Sequence, residues 1–205
     1  MLNSEAMNAK LNPFSDAQSV SLPYTAQVPK SLLSKDVKVE RNIFTSINDN
    51  HTTILYDPLI KKGIVRFEVY SIRSLDKIGI ADDSVRYERK EDPEARGFDK
   101  IVRYDCPGWI QHSGDFIEGN AKFRTEDSVA LELNMDSRPR TLTFFVNDEE
   151  QPNYVTNIPA AVRAFMMFKD ESFKVLKFES LPAPTAQHAA GSRFWEFGKY
   201  WKKDK

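Results

Sequence analysis

Residues 123–148 read FRTEDSVALELNMDSRPRTLTFFVND, and this stretch decides the fold class. From Val129 to Met135 apolar and polar side chains largely alternate, and successive side chains of a strand point to opposite faces. Val129, Leu131, Leu133 and Met135 therefore share one face, and Glu132 and Asn134 share the other. Asp136-Ser137-Arg138-Pro139-Arg140 supplies turn residues. Leu142, Phe144 and Val146 bring back an apolar face, and Asn147-Asp148 ends it. The stretch reads as a β-hairpin with one face for a core and the other expected in solvent.

The same texture extends to both sides. Residues 42–46 and 52–56 read as short strands around the turn Asn48-Asp49-Asn50, and Asp57-Pro58 is expected to break the second. In 63–70, Val65, Phe67 and Val69 point inward, and Arg66 and Glu68 outward. Residues 78–81, 101–104 and 109–110 add short strands, and 161–168 with 173–178 reads as a last strand pair around Lys169-Asp170-Glu171. Between them, 82–99 (DDSVRYERKEDPEARGFD) is charged and aperiodic, which predicts a long exposed loop. Loops of this length in a compact domain are usually functional or disordered. Many short strands with almost no helical period predict an all-β fold, an antiparallel two-sheet β-sandwich. The sandwich spans 37–181, after a polar N-terminal extension (1–36) and before a linker and aromatic, basic tail (182–205). Short helices are expected only in these two extensions. In the tail, Phe194, Phe197 and Trp201 share a face at helical spacing. The tail is expected to pack on its own domain, with partner contact or a membrane interface as alternatives.

Composition excludes several function classes. With 29 basic and 30 acidic residues the net charge is −1, which gives no footprint for nucleic acid or an anionic membrane. No stretch is long and apolar enough to span a bilayer, and the first residues do not make a secretory signal. Cys106 is the single cysteine, so no internal disulfide forms. A reducing compartment fits this, although many secreted proteins also lack disulfides, and the cytoplasm, or else the nucleus, is the expected location. Cys106, His51, His112 and His188 lack zinc-ligand spacing and read as a buried thiol and surface imidazoles. Asp82, Asp83, Glu91 and Asp92 lack the spacing of a calcium loop. Cys106 and His112 are close in sequence, but nucleophilic catalysis needs a third, orienting group that the sequence does not point to. Glu132, Asn134 and Asp136 occupy alternate positions, as catalytic acids do in jelly-roll glycosidases. The middle one is an amide and Asp136 suits a turn, so a solvated face is the preferred reading. No enzyme, metal or cofactor is implied.

The order of the strands carries a resemblance. Gly63-Ile64-Val65-Arg66-Phe67-Glu68-Val69 comes first, then Ile78-Gly79-Ile80-Ala81, then Gly108-Trp109 with Ser113-Gly114 and Asn120. Asp127-Ser128-Val129, Leu131–Met135, Leu142–Asn147 and Pro159-Ala160-Ala161-Val162 follow. The set resembles a SPRY domain over residues 37–181. Glu126-Asp127 stands where the family has Gly-Asp, Asn147-Asp148 where it has Asn-Gly, and Asn134 where Asp is common. The resemblance implies a bent two-sheet antiparallel sandwich without shared catalytic residues, which binds a protein or peptide through loops at one edge. The candidate partner-binding residues are Tyr87 and Arg89 in the charged loop, Tyr104 and Trp109 around Cys106-Pro107-Gly108, and Lys169 in the loop 169–172. Tyr, Trp and Arg dominate the energetic centres of interfaces. Two other readings share the architecture: a carbohydrate-binding or glycosidase-like jelly roll, and a structural subunit of a larger assembly.

Overall fold

The computed structural model describes residues 18–27 and 36–202. The strands in chain order are β1 (Val20–Ser21), β2 (Thr25–Gln27), β3 (Val37–Glu40), β4 (Ile43–Ser46), β5 (Thr52–Ile60), β6 (Ile64–Arg73), β7 (Lys77–Asp82), β8 (Ile101–Asp105) and β9 (Trp109–His112). They continue as β10 (Asp115–Ile117), β11 (Ser128–Asn134), β12 (Thr141–Val146), β13 (Glu149–Glu150), β14 (Asn153–Thr156), β15 (Val162–Phe168), β16 (Ser172–Leu181) and β17 (Arg193–Glu196). Two short 3-10 turns, Pro93–Arg96 and Phe98–Lys100, precede β8. The first sheet runs β17-β14-β12-β11-β6-β16-β4-β3, with β1 also beside β16 and β13 beside β12. The second runs β10-β9-β8-β7-β15-β5-β2. The chain is thus a two-sheet β-sandwich, antiparallel except where β17 joins β14.

The hairpin forms as its alternation requires. Val129 faces Val146, Leu131 faces Phe144 and Leu133 faces Leu142, and β6 continues the row with Val69, Phe67 and Val65. All of these side chains are buried. Each contributes roughly 1.5–3 kcal/mol on leaving water. From the second sheet, Tyr56 meets Phe67 at 4.9 Å and Phe44 at 5.7 Å, and Tyr104 meets Phe144 at 5.1 Å. These tilted and edge-on rings join the sheets into one core.

Several expectations are corrected. β5 runs through Asp57-Pro58 to Ile60. Its pairing with β15 shifts register between Val162 and Ala164, and a proline costs no ladder hydrogen bond at such an irregularity. Residues 161–168 and 173–178 are not a pair. β15 lies in the second sheet between β7 and β5, and β16 in the first between β6 and β4, so 169–171 crosses from one sheet to the other. Strand periodicity marks which residues point inward, but it does not say which sheet receives them.

The outward face of the hairpin is not solvated. Glu132 and Thr143 are both buried. Residues 185–188 lie across them: Thr185 N and Ala186 N donate to Glu132 Oε1 at 2.9 and 3.0 Å, and the Thr185 hydroxyl bonds Oε2. The His188 ring stacks on Tyr154 at 3.7 Å and bonds Thr143 Oγ1 at 2.9 Å. The linker is therefore a strap over the first sheet. The tail beyond it forms no helix in the described residues. Arg193–Glu196 is the strand β17, since Asn153–Thr156 offers it an edge. The N-terminal expectation of a helix falls mostly outside the described residues; 18–27 supplies β1 and β2.

Loop 82–99 is likewise more closely packed than expected. Val85, Tyr87 and Pro93 are buried. Val85 and Tyr87 form, with Leu55, Ala81, Ile101 and Phe165, a second, smaller apolar cluster on the outer face of the second sheet. Gly79 faces Phe165 across the ladder, and a Cβ there would sit 2.6 Å from the Phe165 ring. The missing side chain gives the ring its place beneath the loop.

Candidate functional site

The strand registers bring seven connections to one end of the sandwich: 47–51, 74–76, 89–92, 106–108, 118–127, 147–148 and 169–171. From β5 to β9 is four strand spacings, so this rim is roughly 19 Å wide.

At one corner Arg89 holds the buried Asp36 with two bonds, Nε to Oδ2 at 2.5 Å and Nη2 to Oδ1 at 2.8 Å. Asn48 and Asn50 donate to the same carboxylate at 2.6 and 2.8 Å. The Arg89 bond, followed by those of the amides, keeps Asp36 well below the ordinary carboxylate range. Arg89 is thus a clamp between loops. Tyr87 does not face solvent; it donates to Pro93 O at 2.6 Å and sets its ring edge-on to Phe165.

In the middle of the rim, Lys169 is exposed and Glu171 is buried. Glu171 Oε2 accepts from Asp76 N at 3.0 Å, and its carbonyl accepts from Ser46 N at 2.8 Å. Burial pushes its carboxyl up to about 9, so it carries a proton at neutral pH. Cys106 N donates to Asp76 O at 2.9 Å, which links this cluster to the next part of the rim.

There the end of the sandwich opens into a groove with a volume of ≈ 580 Å³, lined by Cys106, Pro107, 121–124, Asp127, 146–147 and Glu149. Its floor is Phe123 and Val146, both nearly buried. Tyr104 is in the core, but its hydroxyl bonds Ala121 O and its ring meets Phe123 at 5.0 Å, so it sets the groove wall from beneath. Gly108 fixes that wall from the other side. Its φ is +95°, and a Cβ would lie 2.4 Å from Asn120 O. Asp127 ties the far wall: Oδ2 accepts from Arg124 N and Oδ1 from Asn147 Nδ2, each at 2.8 Å. Trp109, next to Gly108, is 37% exposed and lies 5.1 Å from the Phe116 ring.

Of the five residues chosen from sequence, Lys169 and Trp109 are at the surface, Arg89 is bound to Asp36, and Tyr87 and Tyr104 act from below. The groove residues Lys122, Arg124, Asn147 and Glu149 were not among them. The signal for Lys122 and Arg124 is the aperiodic, charge-bearing segment 118–127 between two strands, and that for Asn147 and Glu149 is the polar run 147–150 that ends the hairpin.

The catalytic alternatives meet specific obstacles. Both nitrogens of His112 are engaged far from Cys106: Nδ1 at 2.7 Å from Ile101 O, and Nε2 accepting from Gly198 N at 2.8 Å. His112 is buried, against the expectation of a surface imidazole. Burial pushes the Cys106 thiol up to about 11, away from the thiolate. Glu132 is capped by the strap, and Asp136 accepts from Gly63 N at 2.9 Å. Among the described residues no cluster of three or more His, Cys, Asp or Glu is arranged to hold a metal ion. None of their helices is long and apolar enough to cross a membrane.

No protein-family profile and no curated protein sequence matches the chain. Solved structures do. The SPRY domain of human HERC1 is similar over 69% of this chain and 92% of its own, with a TM-score of 0.55 and 18% identity. A human SPRY domain covers 73% of this chain and 98% of its own, at 0.51 and 14%. The TRIM65 PSpry domain covers 68% and 83%, at 0.53 and 10%. The fold is SPRY-like, as the ordered motifs implied.

Proposed function

We propose that the chain is a non-catalytic interaction module that takes a peptide or protein segment across the rim, with the groove between 106–108, 121–127 and 146–149 as its centre. One observation carries this reading. The groove has an apolar floor and walls already fixed by Tyr104, Gly108 and Asp127, so little loop ordering opposes association. A concave, partly apolar site with a few placed polar groups is the general form of a binding site. Lys169 and Trp109 extend the contact surface, while Arg89, Tyr87 and Tyr104 hold its shape. The three SPRY domains of similar fold add a precedent for the architecture.

The test is selection of short random peptides on the full chain. Enriched peptides should lose about tenfold or more in affinity, roughly 1.4 kcal/mol, when Asn147→Arg and Pro107→Glu block the groove. Asn147→Arg gives up the bonds of Asn147 with Asp127 and Ser128 N, so the melting temperature should fall by roughly 4–8 °C with the transition still cooperative, whereas Pro107→Glu, at an exposed side chain, should change it little. Peptides that bind the double variant as well as the wild type, or no enrichment at all, would refute the reading.

A further inference from the structure

The end opposite the rim has a character of its own. Here the β5–β6 turn lies beside the β11–β12 turn: Met135 N donates to Gly63 O and Gly63 N to Asp136 Oδ1, both at 2.9 Å. The two turns together present Lys61, Lys62, Arg138 and Arg140. Arg138 donates to the carbonyls of Met135 and Ser137, and Arg140 to that of Ile158. Among the described residues no ion pair to a carboxylate is formed by any of these four cations, although twelve other ion pairs are formed there. Among the described residues Asp136 is the one carboxylate lining the groove beside them.

That groove has a volume of ≈ 570 Å³ and a mainly apolar lining that includes Leu22, Leu59, Ile60 and Val65. Pockets of about 300–1,000 Å³ accept a ligand the size of a few side chains. We propose that this end is a second docking site, for a partner-protein segment that places apolar side chains in the groove and carboxylates against Lys61, Lys62 and Arg138. Charge complementarity selects the acidic character, because unpaired cations steer and retain an oppositely charged segment. The recessed apolar surface favours a protein over a lipid bilayer. Membrane docking needs apolar side chains that protrude, whereas Ile60 and Val65 are buried, Leu22 and Leu59 half-buried, and the lysines protrude. None of the described lining residues is aromatic, so among them there is no stacking platform of the kind a single-strand nucleic-acid site uses.

The experiment selects short random peptides on the full chain carrying the Asn147→Arg and Pro107→Glu block at the rim, which leaves the basic end as the site. The expected peptides are rich in Asp and Glu with at least one large apolar residue. Lys61→Glu with Lys62→Glu should weaken them about tenfold or more, and raised salt should weaken them on the wild-type surface. Leu59→Ser should weaken them without changing the salt dependence. Both lysines are exposed, so the charge reversal is expected to leave the melting temperature unchanged. Enrichment of neutral or basic peptides, or equal affinity for the reversed variant, overturns the proposal. So does co-sedimentation with phosphatidylserine vesicles that Lys61→Glu and Lys62→Glu abolish in the absence of peptide binding, since the occupant would then be a lipid surface.

Discussion

Glu132→Ala is the sharpest probe of how the first sheet is finished. The carboxylate is buried and accepts three bonds from the strap, two from Thr185 and Ala186 amides and one from the Thr185 hydroxyl. A hydrogen bond to a charged group contributes roughly 1.5–3 kcal/mol, and an orphaned buried donor costs a similar amount. The strap can lift and rehydrate some of these donors, so the net loss should be about 3 kcal/mol rather than the sum. In a domain of this size each kcal/mol moves the melting temperature by about 2–4 °C, so a fall of roughly 6–12 °C is expected. Glu132→Gln separates charge from geometry. Its amide oxygen still accepts the two N–H groups and its NH₂ can donate to the Thr185 hydroxyl, so the loss should be about 1 kcal/mol. Differential scanning calorimetry measures the shift, and proteinase K cleavage within 182–192 reports the freed strap. If Ala and Gln melt within 2 °C of each other, and cleavage is no faster in Glu132→Ala, the carboxylate does not hold the strap and the reasoning fails.

Two pH slopes of opposite sign are expected. His112 is held neutral between Ile101 O and Gly198 N, and burial lowers its pKa from the ordinary 6.5, so the unfolded chain takes up a proton more readily and stability falls as pH drops below 6.5. Glu171, pushed by burial from 4.5 to about 9, keeps a proton that the unfolded chain releases, so stability falls as pH rises through that window. Because the windows overlap, each slope is read by thermal melts in the variant lacking the other, His112→Gln or Glu171→Gln; an unchanged profile in either variant rejects that assignment. At the groove wall, Gly108→Ala should cost about 2 kcal/mol or more, since its Cβ meets a backbone oxygen at positive φ, and Tyr104→Phe about 1–2 kcal/mol for the lost bond to Ala121 O. Urea unfolding compares them, and a smaller loss for Gly108→Ala would show that the close approach does not fix the wall.

The alternation in 129–146 and 63–70 determined the inward rows and the β-sandwich, because a period of two assigns side chains to faces without reference to the rest of the chain. The strand order was enough to suggest the SPRY-like architecture. What lies on the outer faces was decided only by tertiary structure. Glu132 reads in sequence as a solvated acid and becomes buried because residues 185–188, more than fifty positions away, cross over it. Tyr87 reads as an exposed contact and becomes a loop anchor because Gly79, on another strand, leaves space for Phe165 beneath it. The same holds for β15 and β16, which are adjacent in sequence and lie in opposite sheets. A local pattern records whether a side chain seeks burial, whereas the partner that provides it is set by long-range register, and so are the groove and the basic end where binding is proposed.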